Sequence, residues 1–188
     1  MPLVRSLPED ATYLTLFSAY RNPLFLLADF EQALMRGPSP LPTYARELIG
    51  AYVSGLNACS YCYRSHKFTA AHFGRSDEDV LQALLADIET ANIDANLKPL
   101  FHYVRKLTLT PARMTKADAD AVYAAGWDDT GLVHAVAVCA YFNFANRMTD
   151  RTGLDPTDSQ LQDIARRLAN EGYEATITNP DGAPVPRS

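Results

Sequence analysis

"YARELIGAYVSGLNACSYCYRSHKFTAAHFG", residues 44–74, decides how the chain reads. Its first half sets Leu48, Ile49, Tyr52, Val53 and Leu56 at the spacing of an amphipathic helix. Gly55 and Asn57 break that helix, a second one begins near Ala58, and Phe73–Gly74 closes it. On a helix, positions i, i+3 and i+7 share a face, so Cys59, Cys62 and His66 stack on one side, with the cysteines in the first turn.

Outward from this pair, nearly every periodic segment is helical. Apolar residues recur at helical intervals in 11–20, 24–36, 42–56, 79–88, 97–109, 117–125, 129–148 and 158–169. The punctuation agrees: Pro23 and Pro42 suit first turns, where a missing N–H costs nothing. "SDED" at 76–79 and "TKAD" at 115–118 resemble capping boxes with Asp in place of Glu. Gly74 and Gly126 stand where left-handed C-cap residues belong. No run alternates convincingly with period two, although "ATITNP" near the end suits a brief extended stretch. The expected fold is all-α: an N-terminal segment over 1–10, a single helical domain over 11–172, and an irregular tail over 173–188.

Composition narrows the function. A chain of 188 residues, 47% apolar and 21% charged, has the make-up of an ordinary globular domain. A net charge of −5 with only 17 Lys and Arg, none clustered, argues against nucleic acid and against an anionic membrane surface. The start, "MPLVRSLPED", lacks the apolar run of a secretory signal, and "LVHAVAVCAYFNFA" is too short and too broken to span a bilayer. A cytoplasmic location is expected. Three cysteines are too few and too odd in number for a disulfide scaffold.

The C-x-x-C-x-x-x-H stretch admits three readings. Two helix cysteines and a surface histidine can share no task. Cys59, Cys62 and His66, with a fourth ligand such as Glu47, can hold zinc, although structural zinc wants four closed ligands. Or the thiols form a redox pair, since cysteines three apart in a helical turn approach disulfide separation. Unpaired amides at a helix N-terminus and a nearby imidazolium favour thiolate, lowering an ordinary thiol pKa of about 8.5 to roughly 3.5–7.5. The usual βαβ setting of such a pair is absent, so the redox site belongs to a helical fold.

The stretch over 44–74, with "YRNPLF" at 20–25 and "NFANR" at 143–147, resembles the AhpD-like alkylhydroperoxidase and carboxymuconolactone decarboxylase superfamily, in its peroxidase-related branch. That family's redox motif is Glu, twelve residues, Cys-x-x-Cys, three residues, His, and Glu47, Cys59, Cys62 and His66 fall on it. The resemblance covers roughly 10–170, resting beyond 74 on helix pattern more than identity. It implies an AhpD-like helical bundle that assembles into trimers or hexamers. It also implies hydroperoxide reduction without a bound cofactor, in the manner of a peroxiredoxin. Carried over, Cys62 is the peroxidatic thiolate, Cys59 the resolving thiol, and Glu47 and His66 the proton relay. An external dithiol, lipoyl-bearing or thioredoxin-like, must reopen the disulfide. Decarboxylase members generally lack the cysteine pair. The best-studied branch has histidine just before the second cysteine; here Tyr61 stands there, a poor proton shuttle that implies a shorter relay and slow turnover of simple peroxides. Two other functions compete: a general thiol–disulfide oxidoreductase, and a zinc-stabilised helical interaction protein.

Single residues carry further expectations. Glu47 borders its helix's apolar stripe; alone it would be a solvated acid, and as a buried base its pKa should rise. His72 is expected at the surface, His102 and His134 as hydrogen-bonded core or interface residues, and Cys139 as a buried hydrophobe. Tyr61 and Tyr63 either line an apolar entrance or pack. The helix over 129–148 is apolar nearly all round, hence central or covered by a partner subunit, with Asn143, Asn146 and Arg147 in a satisfied structural network. Small residues Ala51, Ser54 and Gly55 would let a helix of a second copy approach.

Overall fold

A computed structural model describes residues 2–74 and 78–173. Among these, nine α-helices and two short 3₁₀ turns make an all-α fold: α1 Tyr13–Ala19, α2 Arg21–Arg36, α3 Thr43–Leu56, α4 Ser60–His72, α5 Glu78–Ala86, α6 Leu97–Leu109, α7 Lys116–Ala124, α8 Asp129–Thr152 and α9 Asp158–Glu171. Each helix expected from periodicity is present, and α8 runs four residues past the apolar stretch to a left-handed Gly153. Thr115 and Asp118 close a capping box at α7, and Gly74 and Gly126 take positive φ. The cap expected at 76–79, the extended "ATITNP" and the end of the tail fall on residues outside those described.

Helix α3 is the axis of the bundle. Every side chain from Ala45 to Ser54 is buried, including the charged Arg46 and Glu47. Neighbours pack so closely that a Cβ at Gly50 would lie 2.5 Å from the Phe142 ring on α8. Burying a ring such as Phe142 is worth about 1.5–3 kcal/mol, and glycine at 50 is what lets it seat there. The main core joins α3, α5, α6 and α8 through Leu48, Tyr52, Leu81, Phe101, Val104 and Phe142. A second, smaller core gathers Leu7, Leu16, Tyr61, Leu154 and Leu161 around Cys59 and Cys62, where the N-terminal segment and α1 lie over α4.

The α3–α4 turn sets the geometry of the site. Ala58 N–H donates to Gly55 O (3.0 Å) and Cys59 N–H to Ser54 O (2.9 Å), the paired bonds of a Schellman cap. The left-handed position of that cap, φ +57°, is filled by Ala58 and not by either of the residues expected to break the helix. Helix α4 therefore begins one residue after the cap, with Cys59 as its N-cap.

One expectation needs correction and two are narrowed. Ala51 and Ser54 are fully buried within the subunit, and a Cβ at Gly55 would meet Leu85 of α5 at 2.9 Å. These small residues admit this chain's own helices, so they cannot receive a second copy. His102 is not in the core: its side chain is 53% exposed and pairs with Glu89 at 2.8 Å. Its helix buries Phe101 and Val104, and position 102 falls on the outer face. Helix α8 is buried along Leu132, Ala135, Val138 and Phe142 but leaves Val133 and Phe144 exposed, as α2 leaves Leu26 and Phe30.

Candidate active site

Both sulfurs of the pair are sealed: Cys59 is 0% and Cys62 3% exposed. Thr149, reaching down from α8, joins them, its Oγ1 lying 3.1 Å from Cys59 Sγ and 3.4 Å from Cys62 Sγ. That hydroxyl also reaches the Asn146 carbonyl at 3.0 Å. Its one proton can turn to the carbonyl beside neutral thiols and to sulfur beside a thiolate. As N-cap, Cys59 faces the unpaired amides of the first turn. The Cys62 thiol, then Thr149 and the Cys62 amide, hold the Cys59 thiol below its ordinary pKa against the opposing effect of burial. Cys62 moves the other way, raised by its bond to Cys59, by burial and by the charge on Cys59. The two titrate as a unit, and the first of them to ionise is Cys59.

Glu47 and His66 meet as the spacing implied, His66 Nδ1 at 2.8 Å from Glu47 Oε2. The sequence did not foretell what else holds the glutamate. Arg36 Nη1 of α2 lies 2.6 Å from Glu47 Oε1, and Tyr173 donates its hydroxyl to the same oxygen at 2.9 Å. Burial pushes the Glu47 carboxyl up, but the His66 hydrogen bond and the Arg36 charge outweigh it, so its pKa lies below the ordinary value. The expectation of a raised pKa is thus overturned by partners that no local pattern announces. An ionised carboxylate only accepts hydrogen bonds, so His66 carries a proton on Nδ1, which turns Nε2 away from Glu47. Phe142 fixes the ring plane edge-on, with centroids 4.4 Å apart. Arg36 is itself braced by Leu168 O at 3.2 Å and by the faces of Phe73 and Tyr173.

Cys62 and His66 share the wall of a small, largely enclosed cavity of about 40 Å³, together with Tyr13, Glu31, Tyr61 and Tyr173. A water needs about 10–15 Å³ measured in this way, so the cavity suits one or two small molecules. Cys59 does not line it. Glu31 is the group that sequence reading missed altogether. It is 6% exposed, and burial, with help from the Glu47 charge, pushes its carboxyl up to about 8, although Tyr141 and Arg36 pull the other way. Near it the hydroxyls of Tyr13 and Tyr141 are buried and close no hydrogen bond of good geometry.

The surrounding polar groups are structural. Asn57 donates to Asn146 Oδ1 at 2.8 Å and to Asn143 Oδ1 at 3.2 Å, Asn146 donates to Ser54 Oγ at 2.9 Å, and Arg147 bonds back to Asn143. This satisfied network ties the α3–α4 turn to α8. Tyr61 both lines the cavity and packs, its hydroxyl accepting the Tyr13 N–H at 2.9 Å. Burial raises the pKa of its phenol, making it a still weaker acid. His134 Nε2 bonds to Leu34 O at 2.7 Å, His72 is exposed, and Cys139 is buried. Among the described residues no three His, Cys, Asp or Glu side chains converge as metal ligands, and no helix is long and apolar enough to cross a membrane.

A helical bundle carrying a buried dithiol beside a Glu–His pair defines the class. Residues 26–98, from α2 through the cysteine pair to the start of α6, match the carboxymuconolactone decarboxylase family. An uncharacterized peroxidase-related protein from Silicibacter sp. TM1040 superposes with a TM-score of 0.71 at 25% identity, over 79% of this chain and 77% of its own. A second, described as an alkylhydroperoxidase AhpD core and uncharacterized peroxidase-related protein from Ralstonia eutropha JMP134, gives 0.69 at 23% identity, over 81% and 80%. No curated protein matches the chain. Residues 26–98 thus carry the likeness to the carboxymuconolactone decarboxylase family, and the two peroxidase-related structures share the fold.

Proposed function

We propose that the chain reduces hydroperoxides through a Cys59–Cys62 redox pair, with no bound cofactor and with an external dithiol as electron source. The observation that carries this reading is the cavity, which is small and walled by Cys62 and His66 but not by Cys59. A small oxidant can meet Cys62 there; a folded protein disulfide cannot without an opening of the site. The family match and the peroxidase-related relatives support the same chemistry.

His66 Nε2 takes one proton from the pair, and ionised Glu47 steadies the resulting imidazolium. The remaining proton lies between the sulfurs. When it rests on Cys59, the Cys62 thiolate faces the cavity, and as the thiol of higher pKa it is intrinsically the stronger nucleophile. Its attack breaks the O–O bond and forms S–O. The sulfur loses two electrons to become sulfenic acid, and the departing oxygen leaves as alcohol or water once protonated. Cys59 then displaces water from the sulfenic acid to close the disulfide. A dithiol partner, lipoyl-bearing or thioredoxin-like, reopens it by exchange once the site opens to admit it, and is itself oxidised.

Intact-mass spectrometry before and after hydrogen peroxide tests this. Wild type should lose two hydrogens, Cys59→Ser should hold a sulfenic acid at Cys62, and Cys62→Ser should form none at Cys59. A peroxide-inert wild type that exchanges disulfides would make the chain a general oxidoreductase, and bound zinc in the native mass would make it an interaction protein. A homo-oligomer, trimer or hexamer, is proposed with this function, its contact formed by the exposed Leu26, Phe30, Val133 and Phe144. A monomer at micromolar concentration by light scattering would refute it.

A further inference from the structure

Peroxide reduction needs a proton as well as a nucleophile. The oxygen that leaves Cys62 departs as hydroxide or alkoxide, both strong bases, and an acid on the cavity wall beside Cys62 can protonate it as it leaves. We propose that Glu31 is the general acid of the site, its carboxyl delivering a proton to the departing oxygen while Cys62 attacks the other. This rests on the peroxide-reducing reading above.

The assignment follows from the cavity wall. Of the groups on it that carry an exchangeable proton, Tyr13 and Tyr61 are phenols made still weaker acids by burial. Tyr173 commits its hydroxyl to Glu47. Ser65 is a plain alcohol, and the proton that His66 takes from the pair is held there by ionised Glu47, which opposes its onward transfer. That leaves Glu31, which comes from α2 while both sulfurs and the imidazole come from the α4 segment. Several groups bear on its charge: Tyr141 from α8 and Arg36 of its own helix favour ionisation, Glu47 from α3 opposes it, and Tyr13 of α1 and Tyr61 of α4 feel its charge in turn. Arg36 is spent on Glu47, which leaves burial dominant and the Glu31 carboxyl neutral at pH 7. The unpartnered Tyr13 hydroxyl offers the peroxide a hydrogen bond on the same wall.

The balance closes. Cys62 thiolate, peroxide and the Glu31 acid give Cys62 sulfenic acid, alcohol or water, and the Glu31 carboxylate. Disulfide closure releases water, and the proton held by His66 returns to Glu31 through the cavity.

The test is stopped-flow oxidation of the reduced protein and of Glu31→Gln by two probes at pH 7. Hydrogen peroxide expels hydroxide and needs the acid; peracetic acid expels acetate, a stable anion that does not. Glu31→Gln should slow the reaction with hydrogen peroxide by roughly 100-fold, the scale of general acid catalysis, and the reaction with peracetic acid by less than threefold. Wild type should also lose its hydrogen peroxide rate above pH about 8, a fall absent from the variant. Tyr141→Phe, which keeps the acid but removes a group that eases its ionisation, should move that fall to higher pH. Equal losses with both probes, or no loss with either, would overturn the role of Glu31 while leaving peroxide reduction standing. A wild type inert to both probes would overturn peroxide reduction and this role together.

Discussion

Two buried glutamates flank the reaction cavity, one on each of two neighbouring helices. Glu47 on α3 meets Arg36, His66 and Tyr173 and is held ionised. Glu31 on α2 meets phenols and apolar walls and is held neutral to about pH 8. Burial acts on both in the same direction; what separates them is that Glu47 receives the His66 hydrogen bond and the Arg36 guanidinium, against the weaker help that Tyr141 and Arg36 give Glu31. In the proposed reaction the pair divides its labour, one acid orienting a base and the other keeping a proton.

The largest effect expected from breaking this contrast is at Glu47. Glu47→Gln leaves Arg36 charged and unpaired in the interior, and should cost about 3–5 kcal/mol in urea unfolding at pH 7. It should also raise the pH at which the cysteines react with iodoacetamide. Because the folded pKa of Glu47 is depressed, its contribution is full above pH 4.5 and lost as pH falls through the folded value. A variant as stable as wild type at pH 7 would mean the ion pair contributes nothing.

At Glu31 the sign reverses. Its folded pKa is raised from 4.5 to about 8, so native stability carries no penalty below pH 4.5 and declines as pH rises to about 8. Glu31→Gln should therefore be more stable than wild type at pH 8.5, by on the order of a few kcal/mol, and should match it near pH 4. Parallel unfolding curves at both pH values would erase the contrast. Tyr173→Phe removes a hydrogen bond to a buried carboxylate and should cost about 1.5–3 kcal/mol. Thr149→Val should cost about 1 kcal/mol and raise the alkylation pKa of the pair, since Thr149 helps lower that of Cys59. An unmoved alkylation profile would remove Thr149 from thiolate stabilisation. Smallest is Ala58→Gly, which relieves a left-handed alanine but frees the unfolded chain. It should stabilise by less than about 1 kcal/mol.

The sequence made the local part of this site legible. Glu47, Cys59, Cys62 and His66 lie on two consecutive helices joined by a tight turn, so linear spacing became spatial order with little room for error. Helix existence was legible for the same reason, because periodicity is a local property. The groups that tune the site arrive from far along the chain. Arg36 and Glu31 sit on α2, Thr149 at the end of α8, and Tyr173 just past the last helix, where the Gly172–Tyr173 boundary reads as the start of a tail. None has a pattern of its own, and each acquires its role only by packing. The reversed pKa of Glu47 and the outward turn of His102 have the same origin: burial and partnership are tertiary facts.

That separation along the chain has a consequence for synthesis. Cys62 and Thr149 are 87 residues apart, and Glu47 and Tyr173 are 126 apart. At about 5–20 residues per second, a nascent chain carries its cysteines for roughly 4–17 s before Thr149 is made, and its Glu47 for longer still before Tyr173 follows. A chain still on the ribosome at that stage has two ordinary thiols on a helix turn and no assembled reaction centre. Under the proposed function, the chemistry waits for the last helix and Tyr173 to be made.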